Sequence, residues 1–430
     1  MKGRKYVWKF ILVFLISGVI LAGCGGSDDG SPGDGEKISL EIFQGKVEFN
    51  DAFEKLTSEY EKENPNVSIN VKAVGGGSDY IGNLKTKFSS GDEPDIFSIA
   101  GPTEAGQFEE DLADLSDMDL ADIALDGSLA GMKSGDKLLG VPFNQEGYGF
   151  VYNKSVFEEA GINPDDLQSY EDFEEAVKTL DDQKEELEIE EVFAFPAKEK
   201  WVMGDHLLNA YLSPEFDQDV EEAYDSDSVN FEKEDELKRM LDLQDQYSIQ
   251  PTLNLDYSQQ VEEYFSLGQV AMIQQGNWIY PSIDDMDPDF AENNVGLIPI
   301  PVEGYEGQLP VGIPNHWGVN GNKDEETIQA AKDFLDWMYT SDKGKEAVLN
   351  DFKFIPAYEG YDTEDIADPL SKTVYEFASE GNTIGWVFLG YPDNGWGDIF
   401  GGNAQKYLDG KMTWDEVIDD SRTKWENDRE

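Results

Sequence analysis

Between residues 38 and 99 the hydrophobic period changes four times, and that alternation restricts the fold more than any other feature of the chain. Ile38, Leu40 and Ile42 alternate with polar residues, the period-two pattern of a strand. From 51 to 62 the spacing switches and places Phe53, Leu56 and Tyr60 on one helical face, before Asn64-Pro65 stops the helix. Val67, Ile69 and Val71 alternate again, a helix over 80–89 ends at Ser90-Gly91, and 94–99 (PDIFSI) reads as a buried strand. Strand, helix, strand, helix, strand predicts an α/β fold with a parallel sheet, because parallel strands need long crossovers and helices supply them.

The same logic extends down the chain. A short helix is expected at 155–160, closed by Gly161, and an amphipathic one at 169–180, capped by Ser169 with Phe173, Ala176, Val177 and Leu180 inward. The acidic run 181–191 reads as a solvated helix or loop. Residues 261–267 lead through Gly268 into a strand at 270–273. A strong helix is expected at 325–339, and a last one at 414–425 with Thr413 and Glu416 as its capping pair. There is no internal repeat. A chain of 430 residues suggests two or three domains at roughly 100–200 residues each. The Pro/Gly clusters at 299–301, 310–314 and 357–360 read as crossings between lobes.

The N-terminus bears on location. Lys2, Arg4, Lys5 and Lys9 precede an apolar run over 10–22, which ends in Leu21-Ala22-Gly23-Cys24. A basic start, a short apolar stretch and small residues before a cleavage point make a secretory signal. The 13-residue run is shorter than the roughly 17–25 residues that span a bilayer. Leu-Ala-Gly-Cys resembles the lipobox of bacterial lipoproteins, which implies lipidation of Cys24 as the first residue of the mature chain. Residues 25–35 (GGSDDGSPGDG) carry no apolar side chain and read as a flexible leash.

Charge and composition then exclude whole classes of function. There are 91 Asp and Glu against 32 Lys and Arg, a net charge of −59, so phosphate backbones repel this chain and nucleic-acid binding is excluded. The acidity is read as adaptation to a salty medium, in which the self-repulsion is screened. One cysteine rules out internal disulfides and cysteine-ligated zinc, and two histidines, His206 and His316, leave little for metal sites or Ser-His relays. No GxxxxGK[ST], GxSxG, HExxH or calcium-loop pattern occurs, and Gly75-Gly76-Gly77 lacks the lysine of a phosphate cradle. No cofactor or metal is called for.

Aromatic and amide residues carry the positive signal. Trp201, Trp278, Trp317, Trp386 and Trp396 each sit in a probable loop, most of them beside Gly, Pro or Asn, whereas Trp337 and Trp414 fall in helical patterns and read as packing residues. A pyranose offers a flat C–H face that suits an indole, and hydroxyls that need paired donors and acceptors. In 141–154 (VPFNQEGYGFVYNK) the polar Asn144, Gln145 and Glu146 interrupt an apolar, strand-like stretch, as they would where a strand crosses an open cleft.

Several ordered blocks carry a resemblance: Tyr60 with Asn64-Pro65-Asn66-Val67, residues 91–96 (GDEPDI), 140–142 through Tyr152-Asn153-Lys154, Gly268-Gln269-Val270-Ala271-Met272 through Gly276-Asn277-Trp278, 331–335 (AKDFL) and 410–414 (GKMTW). In this order, behind a lipobox, they resemble the extracellular solute-binding proteins of ABC importers, in the carbohydrate-binding group that includes maltodextrin-binding protein. The resemblance implies an α/β, two-lobed periplasmic-binding-protein-like fold with hinge strands and an interlobe cleft. It implies residues 1–23 as signal, 24–36 as linker, 37–147 with 310–357 as the first lobe, and 148–309 with 358–430 as the second. Glu146 would contact sugar hydroxyls, Trp278 and Trp396 would stack on rings, and the loops at 44–48 and after Ile99 would line the cleft. Residues 100–104 (AGPTE) lack the aromatic and Arg of maltodextrin binders, which sets this chain apart from them. Asn144, Gln145, Asn277 and Gln44 are further candidates for fixing hydroxyls, and Trp201, His316 and Trp317 for lining the site.

The expectation is a monomeric, lipid-anchored binding subunit on the outer face of the cell membrane. It would hand a carbohydrate to permease subunits and catalyse nothing. Two other readings fit the composition: a secreted glycan-active enzyme, in which two of the many carboxylates do the chemistry, and a binder of a cationic solute such as a polyamine.

Overall fold

The computed structural model describes residues 37–429 apart from 48, 75–79, 126, 363, 365, 367 and 393–394. The signal segment, Cys24, the leash, Glu48 and the Gly75-Gly76-Gly77 run lie outside the described residues.

The alternation that opens the chain builds the first sheet. Strands β1 (Ile38–Gln44), β2 (Val67–Ala73) and β3 (Ile96–Ile99) pair in parallel, with Ile38 opposite Val67 and Ile42 opposite Ile96. Helices Asn50–Glu63 and Tyr80–Ser90 make the crossovers. Their apolar stripes, Phe53, Leu56 and Tyr60 on one and Leu84 on the other, are buried against the sheet. After a small hairpin, β4 (Lys133–Ser134) and β5 (Lys137–Leu138), comes β6 (Val141–Pro142).

A second sheet follows. It contains β7 (Glu146–Asn153), β8 (Glu191–Phe193), β9 (Val270–Gly276), β10 (Val295–Ile298) and β11 (Leu309–Gly312). The chain then returns to the first sheet through β12 (His316–Val319), which runs antiparallel to both β3 and β6, and the second sheet is completed by β13 (Thr383–Ile384). The orders are β2-β1-β3-β12-β6 and β13-β11-β7-β9-β8, with β10 also on β7. Every residue of β7 is buried because helices and strands cover both of its faces, which explains its near-continuous apolar sequence.

Two sheets, each with its own core, make two lobes. Phe53, Phe97, Trp317 and Phe334 pack in the first. In the second, Phe150, Phe173 and Phe193 fill one side and Val151, Ile273 and Leu309 the other. The chain passes between lobes at Pro142 to Glu146, at Gly312 to His316, and between Tyr361, packed on the first core, and Leu370 in the second, having touched the second core once at Ile355. The passages lie side by side: Phe143 N donates to Asn315 O at 2.9 Å and Gln145 N to Ile355 O at 2.8 Å. Sheet membership puts the second passage after Gly312, a few residues beyond position 310. Phe354 packs in the first core and its neighbour Ile355 in the second. Such a narrow bundle of extended strands can flex without disturbing either core.

Local signals act as read. Ser169 and Asp172 form a capping box on the helix Tyr170–Gln183, Gly161 ends Lys154–Ala160 in the left-handed region, and Thr413 and Glu416 exchange bonds ahead of Trp414–Arg429. Among the described residues no helix is long and apolar enough to cross a membrane.

Candidate functional site

Tyr148, on the central strand of the second lobe, is the floor on which the site is built. It is fully buried, and its hydroxyl donates to the carbonyl of His206 at 2.8 Å. The His206 ring lies flat on it, with centroids 4.3 Å and planes 9° apart. Around His206 stand Trp201 at 5.0 Å, Trp278 at 5.1 Å, Phe388 at 5.7 Å and Trp386 at 6.0 Å. Trp201, His206, Trp278 and Phe388 are each half-buried.

Three separate segments supply these rings. Trp201 precedes a π-helical turn, Val202–Leu207, that contains His206. Its i to i+5 repeat brings residues five apart over one another, which an α-helical turn would not do. Trp278 follows β9, its ring folded over Gly276 and its Nε1 donating to Gln275 Oε1 at 3.0 Å. A Cβ on Gly276 would lie 2.2 Å from Trp278 Cζ3 and 2.4 Å from Gly147 O, so only glycine lets the indole come down beside β7. Trp386 and Phe388 follow β13, and Trp386 lies over Gly312, where a Cβ would be 2.5 Å from its Cγ.

The polar candidates gather at the passage between lobes. Glu146 accepts from Lys46 Nζ in an ion pair and from Asn144 Nδ2 at 3.1 Å, with side-chain exposures of 9% for Glu146 and 14% for Lys46. Lys46 sits on the loop after β1, so this contact runs from the first lobe to the first strand of the second. Gln44, fully buried, holds that loop by accepting from Lys46 N and donating from Nε2 to Asn50 Oδ1 at 3.5 Å. Asn277 ties structure together: its Oδ1 accepts from Gly147 N at 3.0 Å and its Nδ2 donates to Ser371 Oγ at 3.2 Å. Gln145 Oε1 and Asn144 Oδ1 are buried without hydrogen-bond partners among the described residues.

The lobes also meet along one edge, where Thr103 Oγ1 donates to Tyr391 O at 2.8 Å and Gly131 N to Glu221 Oε1 at 3.1 Å. Behind that edge a cavity of about 400 Å³ separates them, walled in part by Gly101, Ser128, Gln145, His316, Gln218 and Trp386. The expectation that the loop after Ile99 lines the cleft thus holds for Gly101.

Two of the expected stacking residues present no surface to a ligand. Trp317 is fully buried on β12, an inner strand of the first sheet, stacked on Phe143 at 4.0 Å with its Nε1 bonded to Tyr339 Oη. Trp396 is equally buried: it begins the helix Trp396–Leu408, packs edge-on against Tyr391 and Trp425, and donates to Ser421 O at 3.0 Å. Both are core residues, and the glycines that follow them, Gly318 and Gly397, sit where the backbone is closely packed. His316 is 2% exposed and bonded through Nε2 to Ser128 O, and its ring is part of the cavity wall.

Electrostatics keep the site uncharged where rings would lie. Desolvation by the surrounding rings lowers the pKa of His206 to about 3, and burial lowers that of His316 to about 4, so both are neutral at pH 7. Asp205, beside His206, has its pKa pushed up to about 7 by burial and then by the Asp398 charge. Among the described residues no group of three metal-ligating side chains comes together. Sequence reasoning passed over His206 and Phe388, which carry no local motif, and reached Lys46 only as part of the loop at 44–48. Trp386 stood out as a loop tryptophan but not as a site residue.

Known proteins share this fold. The chain is 24% identical over 339 residues to the melibiose/raffinose/stachyose-binding protein MelE of Bacillus subtilis (strain 168), covering 76% of each chain. Its fold matches a chitin oligosaccharide binding protein with a TM-score of 0.76 at 23% identity, over 92% of this chain and 100% of that one. It also matches RafE in complex with raffinose, with a TM-score of 0.72 at 20% identity over 91% and 100%. The model of the bacterial extracellular solute-binding protein family matches residues 46–345, most of the two-lobed body, and the chain belongs to that family.

Proposed function

We propose that the protein is the solute-capturing subunit of an ABC importer and that its solute is a neutral carbohydrate, an oligosaccharide. The observation that carries this reading is the convergence of four half-buried rings, Trp201, His206, Trp278 and Phe388, from three separate segments onto the Tyr148 face of the second lobe. Flat C–H faces stack on such rings, while the Glu146, Asn144 and Gln145 group at the passage meets hydroxyls. The names of the relatives point the same way. The ligand touches both lobes, favours the arrangement in which they are together, and is released at the permease; no bond is made or broken.

The remaining assignments rest on the sequence. Residues 1–23 direct export, Cys24 carries the lipid, and the monomeric body works outside the cell membrane. More than one acyl chain is needed to hold so acidic a body there. Its acidity fits a salty habitat, and loss of the fold in low salt is the expected mark of it.

The net charge of −59 favours one rival, a cationic solute. A thermal-shift screen of the full chain against neutral oligosaccharides and against polyamines, each with and without added salt, separates the two. The carbohydrate reading expects stabilisation by an oligosaccharide that salt leaves unchanged. Stabilisation only by polyamines, lost on adding salt, would overturn it.

A further inference from the structure

Strand β9 carries two adjacent glutamines in an otherwise apolar, fully buried run, and the second of them, Gln275, is bonded to a ring of the recess. Its Oε1 accepts from Trp278 Nε1 at 3.0 Å, and its Nε2 donates to Gln260 Oε1 at 2.7 Å. Gln260 Nε2 donates in turn to the carbonyl of Ala194 at 2.9 Å. Gln275 is 1% exposed and Gln260 fully buried. Gln260 lies in the π-helical turn Gln259–Phe265, and Ala194 directly follows β8, so the relay runs from the ring to the edge strand of the second sheet.

The two ends fix the direction of these bonds. An indole N–H can only donate and a main-chain carbonyl can only accept, so each amide between them presents its oxygen toward the ring and its nitrogen toward β8. Trp278 is thereby held on two sides. Its six-membered ring lies over Gly276, where a Cβ would be 2.2 Å from Cζ3 and 2.5 Å from Cη2, and its Nε1 is held by Gln275. Packing over a glycine leaves a half-buried ring free to turn about its side-chain bonds, a freedom that a stacking ligand would have to remove. The hydrogen bond removes it beforehand, and Gln260 keeps Gln275 from turning with the ring.

We propose that Gln275 and Gln260 are positioning residues for ligand capture: both are too deeply buried to touch a ligand, and together they hold the Trp278 indole in the one orientation on which a sugar ring is laid. The inference rests on the carbohydrate reading of the recess and adds that affinity depends on two amides lying behind the ring.

The test titrates the full chain with raffinose, stachyose and chitotriose, following heat, below the melting temperature of each variant. Gln275→Met and Gln260→Met keep the length of each side chain and remove its amide. Each is expected to lower affinity about three- to tenfold, the cost of fixing a freed side chain on binding. In a Trp278→Phe background, which keeps a ring and has no N–H, the same substitutions are expected to change affinity by less than about twofold. Gln260→Glu, whose carboxyl burial keeps protonated, again accepts from Gln275 and donates to Ala194 O, and is expected to restore most of the loss. The Trp278 indole N–H, identified by its absence from the spectrum of Trp278→Phe, should exchange with solvent about tenfold faster in Gln275→Met, a readout that needs no ligand. Equal losses in both backgrounds, or unchanged affinity in both methionine variants, would overturn the positioning role and leave the recess intact. If the parent protein binds none of these sugars, the carbohydrate reading falls, and this inference with it.

Discussion

Trp278 is the side chain on which the recess depends most, and its removal has a calculable effect. Its indole is half-buried, lies over Gly276 and donates one hydrogen bond to Gln275. A sugar ring laid on its face covers on the order of 60 Å² of apolar surface, which at about 25 cal/mol per Å² contributes about 1.5 kcal/mol. The aromatic geometry adds about 0.5–1.5 kcal/mol. Trp278→Ala is therefore expected to weaken binding by about 2–3 kcal/mol, or about 30- to 150-fold. The protein itself loses one hydrogen bond, worth about 1 kcal/mol, and some packing. That is a small part of the roughly 5–15 kcal/mol that holds a domain folded, so the variant stays native. Calorimetric titration with the tightest-binding neutral oligosaccharide, alongside a melting curve, measures both effects. Trp278→Phe, which keeps a ring, falls between. An Ala variant that melts like the parent and binds within about threefold of it would refute the stacking argument.

Other consequences follow from the same geometry. Trp396→Ala removes a fully buried indole and its bond to Ser421, and is expected to cost about 3–5 kcal/mol of stability, read as a lowered urea midpoint. Glu146→Gln removes the largely buried ion pair with Lys46, at a cost of about 3 kcal/mol, and a double-mutant cycle with Lys46→Met reads the coupling between the two as a shared loss in the urea midpoint. His316 is held neutral, with a folded pKa of about 4 against 6.5 when unfolded, so its contribution is complete above pH 6.5 and is lost as pH falls toward 4. Urea titrations between pH 7 and pH 4 should therefore show the parent losing about 3 kcal/mol relative to His316→Gln, and parallel curves would exclude it.

The fold was legible because it rests on periodicity. Residues 38–99 switch between period two and period 3.6 cleanly enough to give the parallel sheet, and Ser169, Gly161 and Thr413 mark helix ends where they fall. The passage at 144–146 was legible too, since three polar residues in an apolar strand need partners. The rings were harder. Glycine and asparagine beside a tryptophan report a tight backbone but not the direction of the side chain. Trp278 folds over Gly276 and stays half-buried, whereas Trp317 alternates inward on β12 and Trp396 packs under the last helix. His206 carries no local signal at all. Its place depends on the π-helical turn that sets it against Trp201 and on Tyr148, 58 positions earlier in the chain.

The most direct test is a crystal structure of the chain with its tightest-binding oligosaccharide. One sugar ring should lie flat against Trp278 with a neighbour at Trp201, both between the lobes and with hydroxyls at the Glu146 passage. A sugar seated elsewhere, with the faces of Trp201, His206 and Trp278 uncovered, would contradict the account.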